Sequence, residues 1–150
     1  MSLDKKYMNI ALEEAAAALA EDEIPVGAVL VDSNGFVLAR GHNERQALHD
    51  ATAHAEIQVI RRAGEKLGDW HLNGCTLYVT LEPCPMCAGA LVMARISRLV
   101  YGLPDSKTGA VESIFNIPGH QSLNHHIEVT AGVMEDECHE LLMRFFRKKR

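Results

Sequence analysis

Two short motifs carry the residues best suited to chemistry, His54-Ala55-Glu56 and Pro83-Cys84-Pro85-Met86-Cys87. They supply one imidazole, two thiols and a carboxylate. Zn²⁺ favours His nitrogen and Cys sulfur, and a catalytic zinc site uses three protein ligands while leaving the fourth position to water. His54, Cys84 and Cys87 are the candidate ligands, and Glu56 is then free to move protons. A metal-activated hydroxide beside an acid/base is what hydrolytic removal of an amine from a nucleobase requires.

The spacing says how these groups meet. Cys84 and Cys87 are three apart where Pro83 or Pro85 can open a helix, so both thiols face one side of its first turn. The unpaired N–H groups and the dipole at that helix start favour thiolate over thiol. His54 falls near the start of another helix, so two helix N-termini are expected to converge on the ion. Residues two apart on a helix point in different directions, so Glu56 addresses the open side of the metal rather than ligating beside His54. A Cys-x-x-Cys pair alone would favour a closed structural zinc site, with a fourth ligand from Cys75, Cys138 or His71. A redox dithiol is the other alternative, but no thioredoxin-like context accompanies the pair. The His-Ala-Glu element shifts the balance toward catalysis.

The elements that must position the site follow from periodicity. From Lys5 to about Ala20, Met8, Leu12, Ala15, Ala16 and Leu19 recur at helical spacing, and Pro25 lies beyond the end of that pattern. Val26–Val31 and Phe36–Ala39 flank Asn34-Gly35, a hairpin signal. Helices are expected over Ala53–Ala63, with Gly64 and Gly68 loosening the end, over Pro85 to about Ala94, and over Glu135–Arg147. Strands are expected over Cys75–Leu81, Arg98–Tyr101 and Ile127–Thr130, with a turn-rich loop from Leu103 to His126. Strand, helix, strand at the second motif implies a parallel crossover. The order α-β-β-α-β-α-β-β-α describes a three-layer α/β/α fold, its mixed sheet of about five strands covered by helices on both faces.

At 150 residues and 47% hydrophobic, the chain has the material for one domain, residues 1–150, with a proper core. No apolar run approaches the roughly 20 residues a membrane helix needs, and the N-terminus has no signal-peptide core, so a cytoplasmic location is expected. A net charge of −5 argues against broad attraction to nucleic acid, so any such partner is met locally. The local candidate is Arg144, Arg147, Lys148, Lys149 and Arg150, which on composition alone reads as a solvated helix end.

With these residues in hand, the chain resembles the bacterial tRNA-specific adenosine deaminases, within the cytidine/deoxycytidylate deaminase-like superfamily. The resemblance runs through Pro25–Val29, Gly41-His42-Asn43, Thr52–Glu56, Tyr78–Cys87, Asp105–Ala110, Asn124-His125 and Phe145-Phe146. The zinc motifs are shared across the superfamily, and the Asp-x-Lys-Thr-Gly-Ala loop points to the tRNA branch. The resemblance implies conversion of adenosine to inosine at the wobble position of a tRNA anticodon stem-loop, by a homodimer with one Zn²⁺ per subunit. It makes Glu56 the proton shuttle and assigns Asn43 and the Ala55 backbone N–H to the purine. It assigns Asp105, Lys107, Thr108 and Phe145 to the flanking nucleotides, which a single-stranded loop can splay onto aromatic side chains. Without it, Asn43 and the Asp105 loop read as turns and Phe145 as core. Two rivals remain at this point: a free-base deaminase such as a guanine deaminase, and a non-catalytic zinc module that binds tRNA.

Overall fold

The computed structural model describes residues 2–149. Met1 and Arg150, the last cation of the basic run, lie outside the described residues. The chain forms α1 (Leu3–Ala20), β1 (Gly27–Val31), β2 (Val37–His42), α2 (Ala55–Leu67), β3 (Thr76–Leu81), α3 (Pro85–Met93), β4 (Arg98–Leu103), β5 (Glu128–Thr130) and α4 (Glu135–Lys148).

The five strands make one sheet in the order β2-β1-β3-β4-β5. β1 pairs antiparallel with β2 and β3, whereas β3–β4 and β4–β5 are parallel. The hairpin and the crossover expected from sequence are both present. Alternation along the central strands builds the layers. Ala28, Leu30, Leu77, Val79, Leu99 and Tyr101 pack with Val59 of α2 and Leu91 of α3 on one face. Their neighbours Val29, Val31, Tyr78 and Val100 pack with Met8 of α1 and Cys138 of α4 on the other. A strand whose two faces are both covered reads as a continuous apolar run, and β1 has no exposed residue.

Several boundaries differ from expectation: β2 runs on to His42, β4 runs on to Leu103, and α2 is displaced toward the C-terminus. α2 continues through Gly64 to Leu67 and stops at Gly68, which takes the left-handed conformation at φ 67°. A single interior glycine weakens a helix by only about 1 kcal/mol, whereas the left-handed cap ends it.

The layout fixes where chemistry can occur. β3 and β4 are parallel neighbours joined through α3, so the start of α3 sits at the carboxyl end of β3, where open α/β sheets place their ligands. α2 packs beside α3 on the same face, and its own start comes to the same edge.

Candidate active site

His54 is the N-cap of α2 and Cys84 the N-cap of α3, both with extended backbone and neither using its side chain to cap its helix. The side chains are thereby released to face each other. His54 Nδ1 lies 3.7 Å from Cys84 Sγ and 3.5 Å from Cys87 Sγ. Zinc bonds of ~2.0 Å to nitrogen and ~2.3 Å to sulfur, set at a tetrahedral angle, separate those atoms by about 3.5 Å. The three ligand atoms therefore already fit the metal. Among the described residues they form the one group of three or more metal-ligating side chains. Cys138 belongs to the cluster on the opposite face of the sheet, so it does not close the site. Cys75 and His71 do not join the group either.

The expected bias toward thiolate falls on Cys84 alone. A hydrogen bond with Cys87 and the nearby His54 imidazole outweigh burial and hold Cys84 down at about 4. Cys87 is pushed up by that same hydrogen bond and by burial, so without a cation the pair shares a proton. A divalent cation takes the place of that proton, and its binding is accordingly coupled to pH.

Glu56 is 3% exposed, and burial lifts its carboxyl to about 7 against the pull of a backbone N–H and of His54. Loss of water thus favours its protonated form, the direction in which an enzyme tunes a carboxyl for acid/base work. Asn43 Oδ1 accepts the Ala55 N–H at 2.8 Å. This supplies the cap that His54 does not, and it decides the orientation of the amide, whose NH₂ remains as a donor. The Ala55 N–H is thus engaged by Asn43, an arrangement the sequence assignment of that group to a purine did not include.

These groups lie in a cleft of about 330 Å³ whose lining includes Asn43, His54, Glu56, Cys84, Asp105 and Thr108. Lys107 and Phe145 do not line it. Phe145 is a buried residue of α4 with Lys149 over its ring, while Phe146 beside it is exposed. The cations of α4 are partly engaged: Arg144 and Arg147 with Glu140, Lys149 with Asp22. Such exposed pairs are weak, so a phosphate can compete for them.

Sequence reasoning gave no role to the two further charged residues of the lining, Arg45 and Glu82, nor to its apolar wall of Ile24, Val26, Leu81 and Pro85. Arg45 had no motif to mark it. Glu82 stood in plain view inside the second motif, but its role depends on partners 23 to 31 residues away. Its carboxylate accepts from the Asp105, Val111, Glu112 and Ser113 N–H groups and from the Ser113 hydroxyl. Burial would raise its pKa, and these donors outweigh it and hold it below the usual carboxylate value.

Residues 1–103 match the cytidine and deoxycytidylate deaminase zinc-binding region. The tRNA-specific adenosine deaminase of Bacillus subtilis is 47% identical over all of this chain and 92% of its own length. That of Agrobacterium fabrum is 51% identical over 96% of this chain and 94% of its own. The chain belongs to the tRNA-specific adenosine deaminase family. A solved structure of a tRNA:A34 deaminase of the wobble position superposes with a TM-score of 0.88 at 50% identity, covering 91% of this chain and 99% of that one. A guanine deaminase from Nitrosomonas europaea has the same fold at greater distance, with a TM-score of 0.78 at 28% identity over 94% of this chain and 83% of that one. Zinc is the metal that both the family and the donor set imply.

Proposed function

We propose that this protein deaminates adenosine to inosine at the wobble position of a tRNA anticodon. The observation that carries the reading is Glu56, a buried carboxyl that lines the same cleft as His54 and Cys84, two of the three clustered metal-ligating side chains. A Zn²⁺ held by those three side chains supplies Lewis acidity that brings the pKa of a water toward about 7. Glu56 accepts a proton from the attacking water and delivers it to N1 of the adenine as the new C–O bond forms at C6. Glu56 then takes the proton of the new C6 hydroxyl and passes it to the amino group, so that ammonia leaves as the C6–N bond breaks and the C6 carbonyl forms. The Asn43 NH₂ is the donor available to hold the purine edge in place. Asp105 and Thr108 line the same cleft, and in this reading they contact the nucleotides that flank the wobble base.

Identity of about half to the tRNA enzymes, against 28% to the guanine deaminase, favours RNA over a free base. Unstacked bases of an anticodon loop enter such a cleft without the cost of opening a duplex. We read residues 1–150 as one catalytic domain that works in the cytoplasm, where its tRNA substrate resides. No described helix is long and apolar enough to cross a membrane. A homodimer is supported by α3, which carries no charged residue yet leaves Met86 and Met93 exposed, together with Ile114 and Phe115 of the long loop. Elution as a monomer at micromolar concentration would remove that part of the reading.

The test is inosine formation on an anticodon stem-loop bearing a wobble adenosine. The zinc-loaded protein is expected to form inosine, and Glu56→Ala to be slower by roughly 10²- to 10⁴-fold, the usual worth of a positioned acid/base. Release of ammonia from free guanine, with the stem-loop untouched, would overturn the assignment in favour of a nucleobase enzyme.

A further inference from the structure

The cleft has two rims made of loops, and each is tied to the body of the protein by a buried carboxylate. Glu23 accepts the Gln46 and Ala47 N–H groups at 2.8 and 3.0 Å, holding the loop that carries Asn43 and Arg45. On the other side Glu82, 2% exposed, stands at the end of β3. One of its oxygens accepts the Asp105 N–H at 3.0 Å and the Ser113 hydroxyl. The other accepts the N–H groups of Val111, Glu112 and Ser113 at 3.1, 2.8 and 3.0 Å.

We propose that Glu82 is a positioning residue for substrate reading, fixing the shape of the 105–113 loop and thereby which RNA is accepted, without taking part in proton transfer. The inference rests on the deaminase reading above and concerns a residue which that reading leaves without a role. Three observations carry it. A carboxylate offers about four lone-pair sites, and five donors saturate them, so nothing remains for a substrate. The donors come from both ends of one loop, so the carboxylate closes that loop into a ring. The middle of the loop rests on the same group: a Cβ added to Gly109 would come within 2.5 Å of the Glu82 carboxyl and of the Asp105 carbonyl oxygen. The loop also donates from the Ala110 N–H to the Pro83 carbonyl, beside the metal motif. Asp105 in turn shapes the loop, its carboxylate accepting from the Lys107 and Thr108 N–H groups and from the Thr108 hydroxyl. The chain of support therefore runs from Glu82 through Asp105 to Thr108, two residues that line the cleft.

Glu82→Gln separates this role from a general loss of structure. The glutamine carbonyl can keep the edge with three donors, and its NH₂ must then face the Asp105 N–H, so the tether at Asp105 is the one broken. For the zinc-loaded variant, KM for the wobble-adenosine stem-loop is expected to rise by about tenfold, the size of one lost hydrogen bond to a charged group, with kcat changed much less. Amide exchange should speed up over 105–113 and stay unchanged over α2 and α3. Slow exchange retained in that loop, or a fall in kcat with KM unchanged, overturns the proposal. If the wild type itself makes no inosine, the functional reading fails separately. Amide exchange and the dissociation constant for the same stem-loop then decide whether Glu82 anchors the binding rim. Should Glu82→Gln not melt cooperatively, Ser113→Ala removes a single donor from the same carboxylate and is read by the same two measurements.

Discussion

The two faces of the sheet treat carboxylates withdrawn from water in opposite ways, Glu56 being buried and Asp4 and Glu14 half-buried. On the α2/α3 face Glu56 is buried with no lysine or arginine bonded to it, and burial lifts it to about 7. On the α1 face Asp4 receives both ends of the Arg98 guanidinium, at 2.8 and 2.9 Å, and the Tyr78 hydroxyl at 2.9 Å, and Arg98 leads in pulling it down. Glu14 behaves likewise: burial opposes its charge, but His42 and Arg40 outweigh burial and lower its pKa. The same residue type in one small domain is thus fixed as an anion on one side and left able to exchange a proton on the other. A neighbouring cation, or for Glu82 a full set of N–H and O–H donors, makes a structural charge, and burial with neither makes a reactive one.

The comparison breaks hardest at the metal trio. His54→Ala removes a ligand from the cleft face alone, and zinc affinity should fall by more than about 100-fold, measured by competition with a chromogenic chelator. Melting temperature should fall with it to that of the zinc-free protein. Asp4→Asn, on the other face, should leave zinc content at one per chain. A His54→Ala protein that kept its zinc as tightly would show that the site is not this trio.

Asp4→Asn tests the structural side. Losing a hydrogen-bonded charge pair that joins α1 to β3 and β4 should cost about 1–3 kcal/mol in urea unfolding. The sign with pH follows from the direction of the shift. Asp4 has a folded pKa below its ordinary 3.8, so its stabilisation is complete above that value and is lost as pH falls through the depressed one. Wild type and variant should therefore differ by a constant amount from neutrality down to about pH 5 and converge in stronger acid. A gap that persists unchanged until acid unfolding would mean that Asp4 contributes through shape and not charge.

The same contrast explains what the sequence disclosed. His54, Glu56, Cys84 and Cys87 were legible because each motif is local and each ligand sits at a helix start that proline or the apolar pattern announces. The strands were legible because a strand buried on both faces reads as a short continuous apolar run. The rims were not. Glu82 gathers donors from 105 to 113, Asn43 caps Ala55 across 12 residues, and Asp4 meets Arg98 across 94. No spacing rule links such partners, since the fold brings them together only after the sheet has formed. Phe145 shows the opposite case: helical periodicity alone describes its burial, while its assignment to RNA came only from the resemblance.

The smallest expected effect concerns His42, where β2 meets α1. Its ring nitrogens face Glu14 Oε1 at 2.8 Å and Glu21 Oε2 at 3.1 Å, and Arg40 shares Glu14. Burial disfavours the imidazolium, yet the two carboxylates prevail and the pKa lies above the ordinary 6.5. A group raised in the folded state stabilises fully below its unfolded pKa and loses that contribution as pH rises through the folded value. His42→Gln, which keeps polarity without titrating, should therefore melt below wild type at pH 6 and approach it on the alkaline side. The gap at pH 6 should be a few degrees, about what 1 kcal/mol is worth in a domain of this size. Glu56 is also raised, by loss of water and not by gain of counter-charges, and it acts equally in both proteins, so it cancels in the difference. A gap that widened with pH would mean that the neutral imidazole is the form this site prefers, and that burial, as on the cleft face, has won over the neighbouring charges.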